Sequence, residues 1–100
     1  MASLHVALQE GFGGEGVVVL VDGREVFSDP DVRTRLQIGL AKSFDVEVAP
    51  GRHLVECRLT GRDNPVARHV EVAGPTWVGI SLVPDGGARW RVASEPFGYV

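Results

Sequence analysis

The sequence predicts an all-β protein: an antiparallel β-sandwich of about seven to nine short strands. Three observations predict it. Five consecutive apolar residues, 17–21, run into Asp22-Gly23, a dipeptide typical of two-residue hairpin turns. Apolar and polar residues alternate along much of the chain, and Pro-Gly, Gly-Pro and Asp-Gly pairs separate the alternating runs. Such a pattern is typical of two sheets that each bury one face.

Composition limits the classes of function. One hundred residues, 44% hydrophobic and 23% charged, predict one domain over residues 1–100 with a C-terminal tail at 94–100. A net charge of -3 disfavours a nucleic-acid partner. The lone Cys57 forms no internal disulfide, and we find neither a signal-peptide pattern nor the ~18 apolar residues of a membrane span. We therefore expect a cytoplasmic location and no membrane partner.

The first half of the chain is predicted to contain a glycine-rich connection at 11–16, a hairpin at 17–27 and a turn at 28–31. The connection is read as flexible or bulged. Around these elements lie strands with inward residues at every second position. The inward residues of these strands are Leu4, Val6 and Leu8; Leu36, Ile38 and Leu40; and Phe44, Val46 and Val48.

In the second half, Pro50-Gly51 predicts a type II turn, and strands follow at 53–60 and 66–72. A final hairpin covers 77–93. Its three-residue loop, 84–86, sets Ile80 opposite Trp90 and Val78 opposite Val92, since this register keeps the apolar residues on one face. No segment predicts a helix. The predicted core is Leu4, Val6, Val19, Leu36, Ile38, Phe44, Val46, Val55, Cys57, Val70, Val72, Val78, Ile80, Trp90 and Val92.

Two motifs suggest ligands on first sight. Residues 11–16 satisfy G-x-G-x-x-G, but a valine-rich strand follows where a dinucleotide site needs a helix. His53, Cys57 and His69 are metal-ligand residue types. His53 and Cys57 lie ~13 Å apart along one strand, however, and His69 is predicted on the opposite face of the sheet. The sequence therefore predicts neither a cofactor nor a metal site here.

The chain carries no spacing that places a serine, a histidine and a carboxylate together, so we predict no catalytic residue and no enzyme. Asp29 and Asp31 are candidates for a calcium site, which would need further oxygen ligands converging on them. An aspartate in a turn more commonly bonds its own backbone.

The candidate interaction surface comes from residues that leave apolar side chains on the outer faces. Val18 and Leu20 have the parity opposite to Val19, so both faces of their strand are apolar. Trp77 is also predicted to face outward. We expect either the tail to cover it or a ligand to stack on it. The second face of the 17–21 strand requires a cover: the tail, another segment or a second subunit. The predicted interaction residues are Val18, Leu20, Trp77, Phe97 and Tyr99.

Residues 19–26, VLVDGREV, and 46–55, VEVAPGRHLV, resemble the V-D-G-x-x-V hairpin and P-G-x-H turn of PEGA-type and carboxypeptidase-regulatory-like modules. The chain departs from them in a longer stretch from 27 to 44 and in lacking an export signal. The resemblance implies a non-enzymatic prealbumin-like sandwich used for contacts or spacing.

The sequence thus predicts a protein-interaction or structural module whose partner is a second copy, as a homodimer, or another protein. It would use the Val18/Leu20 face, an open sheet edge or the tail. The alternative is a module that binds a small ligand, a carbohydrate or a metal, through Trp77 and the acidic turns. Neither reading requires a cofactor.

Overall fold

The computed structural model describes residues 1–62 and 64–98, and this part of the chain forms eight β-strands and no helix. Accordingly, the described residues contain no helix able to cross a membrane. The strands are β1 (Ala2–Leu8), β2 (Gly13–Val21), β3 (Arg24–Arg33), β4 (Lys42–Val48), β5 (Gly51–Leu59), β6 (Val66–Val72), β7 (Thr76–Leu82) and β8 (Ala88–Ala93).

Two four-stranded sheets pack together, with strand orders β4-β1-β7-β8 and β3-β2-β5-β6. The predicted all-β class is therefore confirmed. The predicted antiparallel arrangement is wrong for one pair of strands, because β1 and β7 pair in parallel. Parallel neighbours need a long connection, and here the chain passes through the whole second sheet before it returns as β7.

The core lies between the sheets and comes from alternate residues of both. Val6 on β1, Val19 on β2 and Ile80 on β7 are almost completely buried, as the alternation predicts. Phe44, Val46 and Trp90 are half-buried and pack against this core. Several core residues are missing from the predicted core: Ala2, Leu8, Phe12, Val17, Val21, Val32, Val48, Leu59 and Leu82. Of these, Leu8 and Val48 were predicted to face inward.

The sandwich has two unlike lateral sides. On one, the edge strands β3 and β4 meet, and the rings of Phe27 and Phe44 stack with centroids 4.6 Å apart. We call this the closed side. The edge strands β6 and β8 form the opposite lateral side, which we call the open side.

The β2–β3 hairpin is confirmed. Val21 pairs with Arg24, leaving Asp22 and Gly23 as a two-residue loop. Their φ angles are 52° and 82°, and two successive positive values define a type I′ turn. Aspartate and glycine are the residues that tolerate this backbone best.

The register of the β7–β8 hairpin is also confirmed, with Ile80 opposite Trp90 and Val78 opposite Val92. The Val83 amide donates to the Gly87 carbonyl and closes a three-residue loop. The assignment of Val92 to the core is nevertheless wrong, because it is 42% exposed. Val92 has the inward parity but lies on an edge strand of the open side, where none of the described strands covers it.

The turn predicted at 28–31 and the strand predicted through Leu36, Ile38 and Leu40 are both wrong. Strand β3 continues to Arg33 and buries Val32 completely. The next residues form a loop closed by an isolated bridge between Arg35 and Leu40, and Leu36 is 90% exposed. Pro30 is tolerated because β3 is an edge strand.

The glycine-rich connection is shorter than predicted, since β2 begins at Gly13. The pairing of β2 with β3 shifts between Gly13 and Glu15 and again between Glu15 and Val17. Such shifts are β-bulges, which glycine accommodates readily. The bulged alternative is thus the one observed.

Candidate functional site

On the open side, the edge strand β6 contains neither a bulge nor a proline. Strand β6 pairs with β5 through seven residues in continuous register, and no described strand pairs with its other edge. By contrast, β3 on the closed side carries Pro30 and three register shifts. Bulges and prolines block pairing at sheet edges. Strand β6 therefore keeps a regular backbone edge that can accept a further strand.

Apolar surface lies beside this edge. Val92 on β8 is exposed, and it lines a cavity of about 270 Å³ together with Glu71 of β6 and the 73–75 connection. The same cavity therefore joins the ends of β6 and β8. An incoming strand on β6 would cover part of the exposed Val92 side chain.

The open side is basic although the chain is acidic overall. Strands β6 and β8 carry three arginines and one histidine against one carboxylate: Arg68, Arg89, Arg91 and His69 against Glu71. Strands β3 and β4 on the closed side carry five carboxylates against three cations: Glu25, Asp29, Asp31, Asp45 and Glu47 against Arg24, Arg33 and Lys42. Charge is thus segregated between the two lateral sides.

A second candidate site lies on the outer face of the β1 sheet. His5 stands opposite Asp45 on β4 and opposite Trp77 on β7. The His5 ring stacks on Trp77 with centroids 4.6 Å apart, and its Nδ1 lies 2.6 Å from Asp45 Oδ1. Trp77 faces outward as predicted. These side chains line a cavity of about 190 Å³, which we call the Trp77 cleft.

The tail packs on this face. Pro96 and Phe97 line the Trp77 cleft, and the Arg91 guanidinium lies 4.4 Å from the centroid of the Phe97 ring. The contact is a cation–π interaction. The predicted cover of Trp77 by the tail is therefore observed as far as Gly98; Tyr99, the other predicted tail residue, lies outside the described residues.

The predicted interaction residues do not come together. Val18 and Leu20 lie on the outer face of the other sheet, far from the tail. Within the single chain Val18 is half-buried and Leu20 is only 9% exposed. Leu20 stands between Glu25 on β3 and Glu56 on β5. Long charged side chains can cover apolar neighbours with their methylene groups. Neighbouring segments thus cover most of Leu20.

His53 forms a polar latch at the end of the molecule. Its Nδ1 lies 2.5 Å from Asp22 Oδ2 and its Nε2 lies 2.6 Å from the Ala49 carbonyl oxygen. Asp22 Oδ1 also accepts a hydrogen bond from the Leu54 amide. The hydrogen bond to Asp22 and, second in importance, the bond to Ala49 raise the pKa of His53. The hydrogen bond from His53 and, second in importance, the bond from the Leu54 amide lower the pKa of Asp22.

The three metal-ligand residue types are placed apart. Cys57 is buried in the core, where desolvation raises the pKa of its thiol to about 12. His69 is exposed on the outer face, opposite Leu54, and His53 belongs to the latch. Asp29 accepts a hydrogen bond from the Asp31 amide, which is a local backbone contact. Within the described ranges, no three His, Cys, Asp or Glu side chains are grouped to hold a metal ion.

Comparison with known proteins gives no match: no family model, no curated protein and no solved structure is similar enough to indicate a relative.

Two features of these sites were not identified from the sequence, which predicted an open sheet edge without naming its strands and did not predict the latch. The open side depends on which strands are the edges, and the strand order leaves no signal in the alternation. The latch had a usable signal, because Asp22 in the hairpin turn and His53 after the Pro50-Gly51 turn are both polar residues at strand ends.

Proposed function

We propose that this chain is a non-enzymatic protein-interaction module of immunoglobulin-like or prealbumin-like architecture, which binds an extended segment of another protein at its open side. The observation that carries the proposal is the regular edge of β6, which none of the described strands pairs with, beside the exposed Val92. An added strand gains backbone hydrogen bonds from the sheet edge, and its alternate side chains contact the neighbouring surface. The resemblance to PEGA-type modules agrees with a role in contacts.

The test uses two synthetic peptides of about nine residues, the length of a long strand. Both alternate valine with threonine, and the central valine is replaced by glutamate in one peptide and by lysine in the other. Amide hydrogen exchange is measured on the full chain with each peptide. Binding at the open side should slow exchange in β6, while β4 on the closed side keeps its rates. Absence of β6 protection with both peptides would refute the proposal.

A matched pair of variants tests the apolar contact. Val92→Ser removes exposed apolar surface beside β6, whereas Leu36→Ser removes an even more exposed side chain from the 34–41 loop. We expect Val92→Ser to weaken peptide binding and Leu36→Ser to leave it unchanged. Equal effects would mean that the peptide does not contact the open side.

The Trp77 cleft supports a second candidate function, the binding of a small ligand. Its cavity of about 190 Å³ combines the Trp77 ring with the polar His5–Asp45 pair. This volume is below the roughly 300 to 1,000 Å³ of drug-sized ligand sites, so the candidate ligand is a single sugar ring. Titration with glucose and N-acetylglucosamine should raise the melting temperature of the protein. No shift with either sugar, or the same shift in Trp77→Ala, would contradict this role.

A further inference from the structure

We infer that the segment bound at the open side is acidic, and that Arg68 both selects it and prevents β6 from pairing with a second copy of this chain. This inference rests on the proposed function, since it names the chemistry of the partner at the same edge. Three features support it: the position of Arg68, the charge of the open side and the pairing geometry of β6.

Arg68 occupies an unusual position for a charged residue. It stands opposite Val55, which is completely buried, so it has the parity of the core-facing residues of β6. Its side chain is nevertheless exposed, because β6 is the edge, and it forms no ion pair within the described ranges. A strand added to β6 would place a side chain directly opposite this guanidinium. A carboxylate there would gain a charge-assisted hydrogen bond.

The surroundings reinforce this preference. Arg91 lies on β8 at the same lateral side, over the Phe97 ring, and Arg89 beside it pairs with Glu10. Glu71 is the one carboxylate on the two edge strands. Several like charges raise the local concentration of segments of the opposite charge and speed their association. A basic segment would meet a like charge at Arg68.

The same arginine opposes self-association. A dimer formed through two β6 edges would have a twofold axis perpendicular to the sheet, and this axis leaves the same face of the sheet inward in both copies. Two residues paired across the β6 edges would therefore both point inward or both point outward. The register centred on Arg68 places the two guanidinium groups opposite each other. The register centred on Val70 avoids that clash and pairs His69 with Glu71, yet it buries each Arg68 against a Val72. An inward-facing charge on an edge strand is a recognised protection against edge-to-edge pairing.

The test compares the affinities of the two peptides by fluorescence anisotropy. We expect the glutamate peptide to bind roughly tenfold more tightly than the lysine peptide, because the glutamate gains an exposed ion pair with Arg68 where the lysine meets a like charge. Arg68→Glu should abolish or reverse this preference. Arg24→Glu makes the same charge change at an exposed position of the closed side and should preserve it. Raising the salt concentration should reduce the preference in the wild type, since screening weakens exposed ion pairs.

The outcomes separate this inference from the proposed function. Protection of β6 by both peptides with equal affinity would overturn the acidic preference and leave strand binding intact. Lack of protection by either peptide would refute the proposed function itself. Sedimentation of Arg68→Val provides a second measurement, since this variant should self-associate where the wild type remains a monomer. A wild-type chain that dimerises through β6, seen as concentration-dependent protection of that strand, would overturn the role of Arg68.

Discussion

The His53 latch should make the stability of this protein fall as the pH rises above neutrality. Both ring nitrogens of His53 face oxygen acceptors, Asp22 Oδ2 and the Ala49 carbonyl. A neutral imidazole has one N–H and can donate to just one of them, so the latch is complete only in the imidazolium form. Because folding raises the pKa of His53, its stabilising contribution is fully present below the unfolded value near 6.5. The contribution is lost as the pH rises through the folded pKa.

Asp22 sets the lower limit of the pH range in which the latch stabilises the fold. Folding lowers its pKa below 3.8, so its contribution is present above that value and is lost as the pH falls through the folded pKa. The latch therefore stabilises the fold most between about pH 4 and about pH 6.5. Charged hydrogen bonds contribute about 1.5 to 3 kcal/mol when well shielded. The Asp22 side chain is 51% exposed, so we expect about 1 kcal/mol from the pair.

Urea unfolding at about pH 5.5 and about pH 8.5 measures this contribution. A loss of about 1 kcal/mol corresponds to a midpoint lower by ~0.3 to 1 M urea at the higher pH. His53→Gln removes the titration and should flatten this part of the pH dependence, which isolates it from the other two histidines. Asp22→Asn retains a residue suited to the φ of 52° and serves as the reciprocal variant. An unchanged pH dependence in His53→Gln would refute the reasoning.

Three further predictions follow from burial and backbone conformation. Ile80→Ala should lower the free energy of unfolding by roughly 2 to 5 kcal/mol because Ile80 is completely buried, whereas Leu36→Ala should change it by less than about 0.5 kcal/mol; chemical denaturation measures both. Gly11→Ala should destabilise more than Gly23→Ala, as shown by melting temperatures: both have positive φ, but only at Gly11 would the added Cβ overlap a facing carbonyl oxygen. Cys57 should resist iodoacetamide in the native protein and react after unfolding, followed by mass spectrometry; rapid native labelling would contradict its burial and raised pKa.

Local patterns predicted those parts of the fold that depend on neighbouring residues. The Asp22-Gly23 pair predicted its hairpin, because few residues other than aspartate and glycine adopt two successive positive φ angles readily. The alternation in β7 and β8 predicted their register, because a slip of one residue would turn Ile80 toward a polar partner. Both signals operate between strands adjacent in the chain.

The errors concern competition between equally apolar segments. Val32 and Leu36 are both isolated apolar residues in polar surroundings, and the alternation favoured Leu36. The bulges of the β2–β3 ladder decide the outcome, because they let an edge strand extend past Pro30 and deliver Val32 to the core. Bulge positions depend on the partner strand, so the local pattern does not reveal them.

The candidate sites depend on still longer-range information. Trp77 was predicted to face outward from parity alone, but the histidine stacked on it comes from β1, about seventy residues earlier. The exposure of Val92 follows from the position of β8 at a sheet edge, although its parity matches that of buried Val78. The predicted doubly apolar strand proved to be largely covered at Leu20 by its own sheet neighbours.

The parallel pairing of β1 with β7 orders the events of biosynthesis. Closing so long a loop costs more chain entropy than closing a hairpin, and non-local pairings form slowly. As the chain leaves the ribosome, β2, β3, β5 and β6 are all available to complete their sheet before β7 appears. Strand β1 can pair with β4 on one edge in this interval, but its other edge waits for β7. A nascent chain that stalls before β7 would therefore leave one edge of β1 unpaired, although β1 is an interior strand of the finished sheet. Such a free edge exposes the unfinished chain to aggregation and to chaperones.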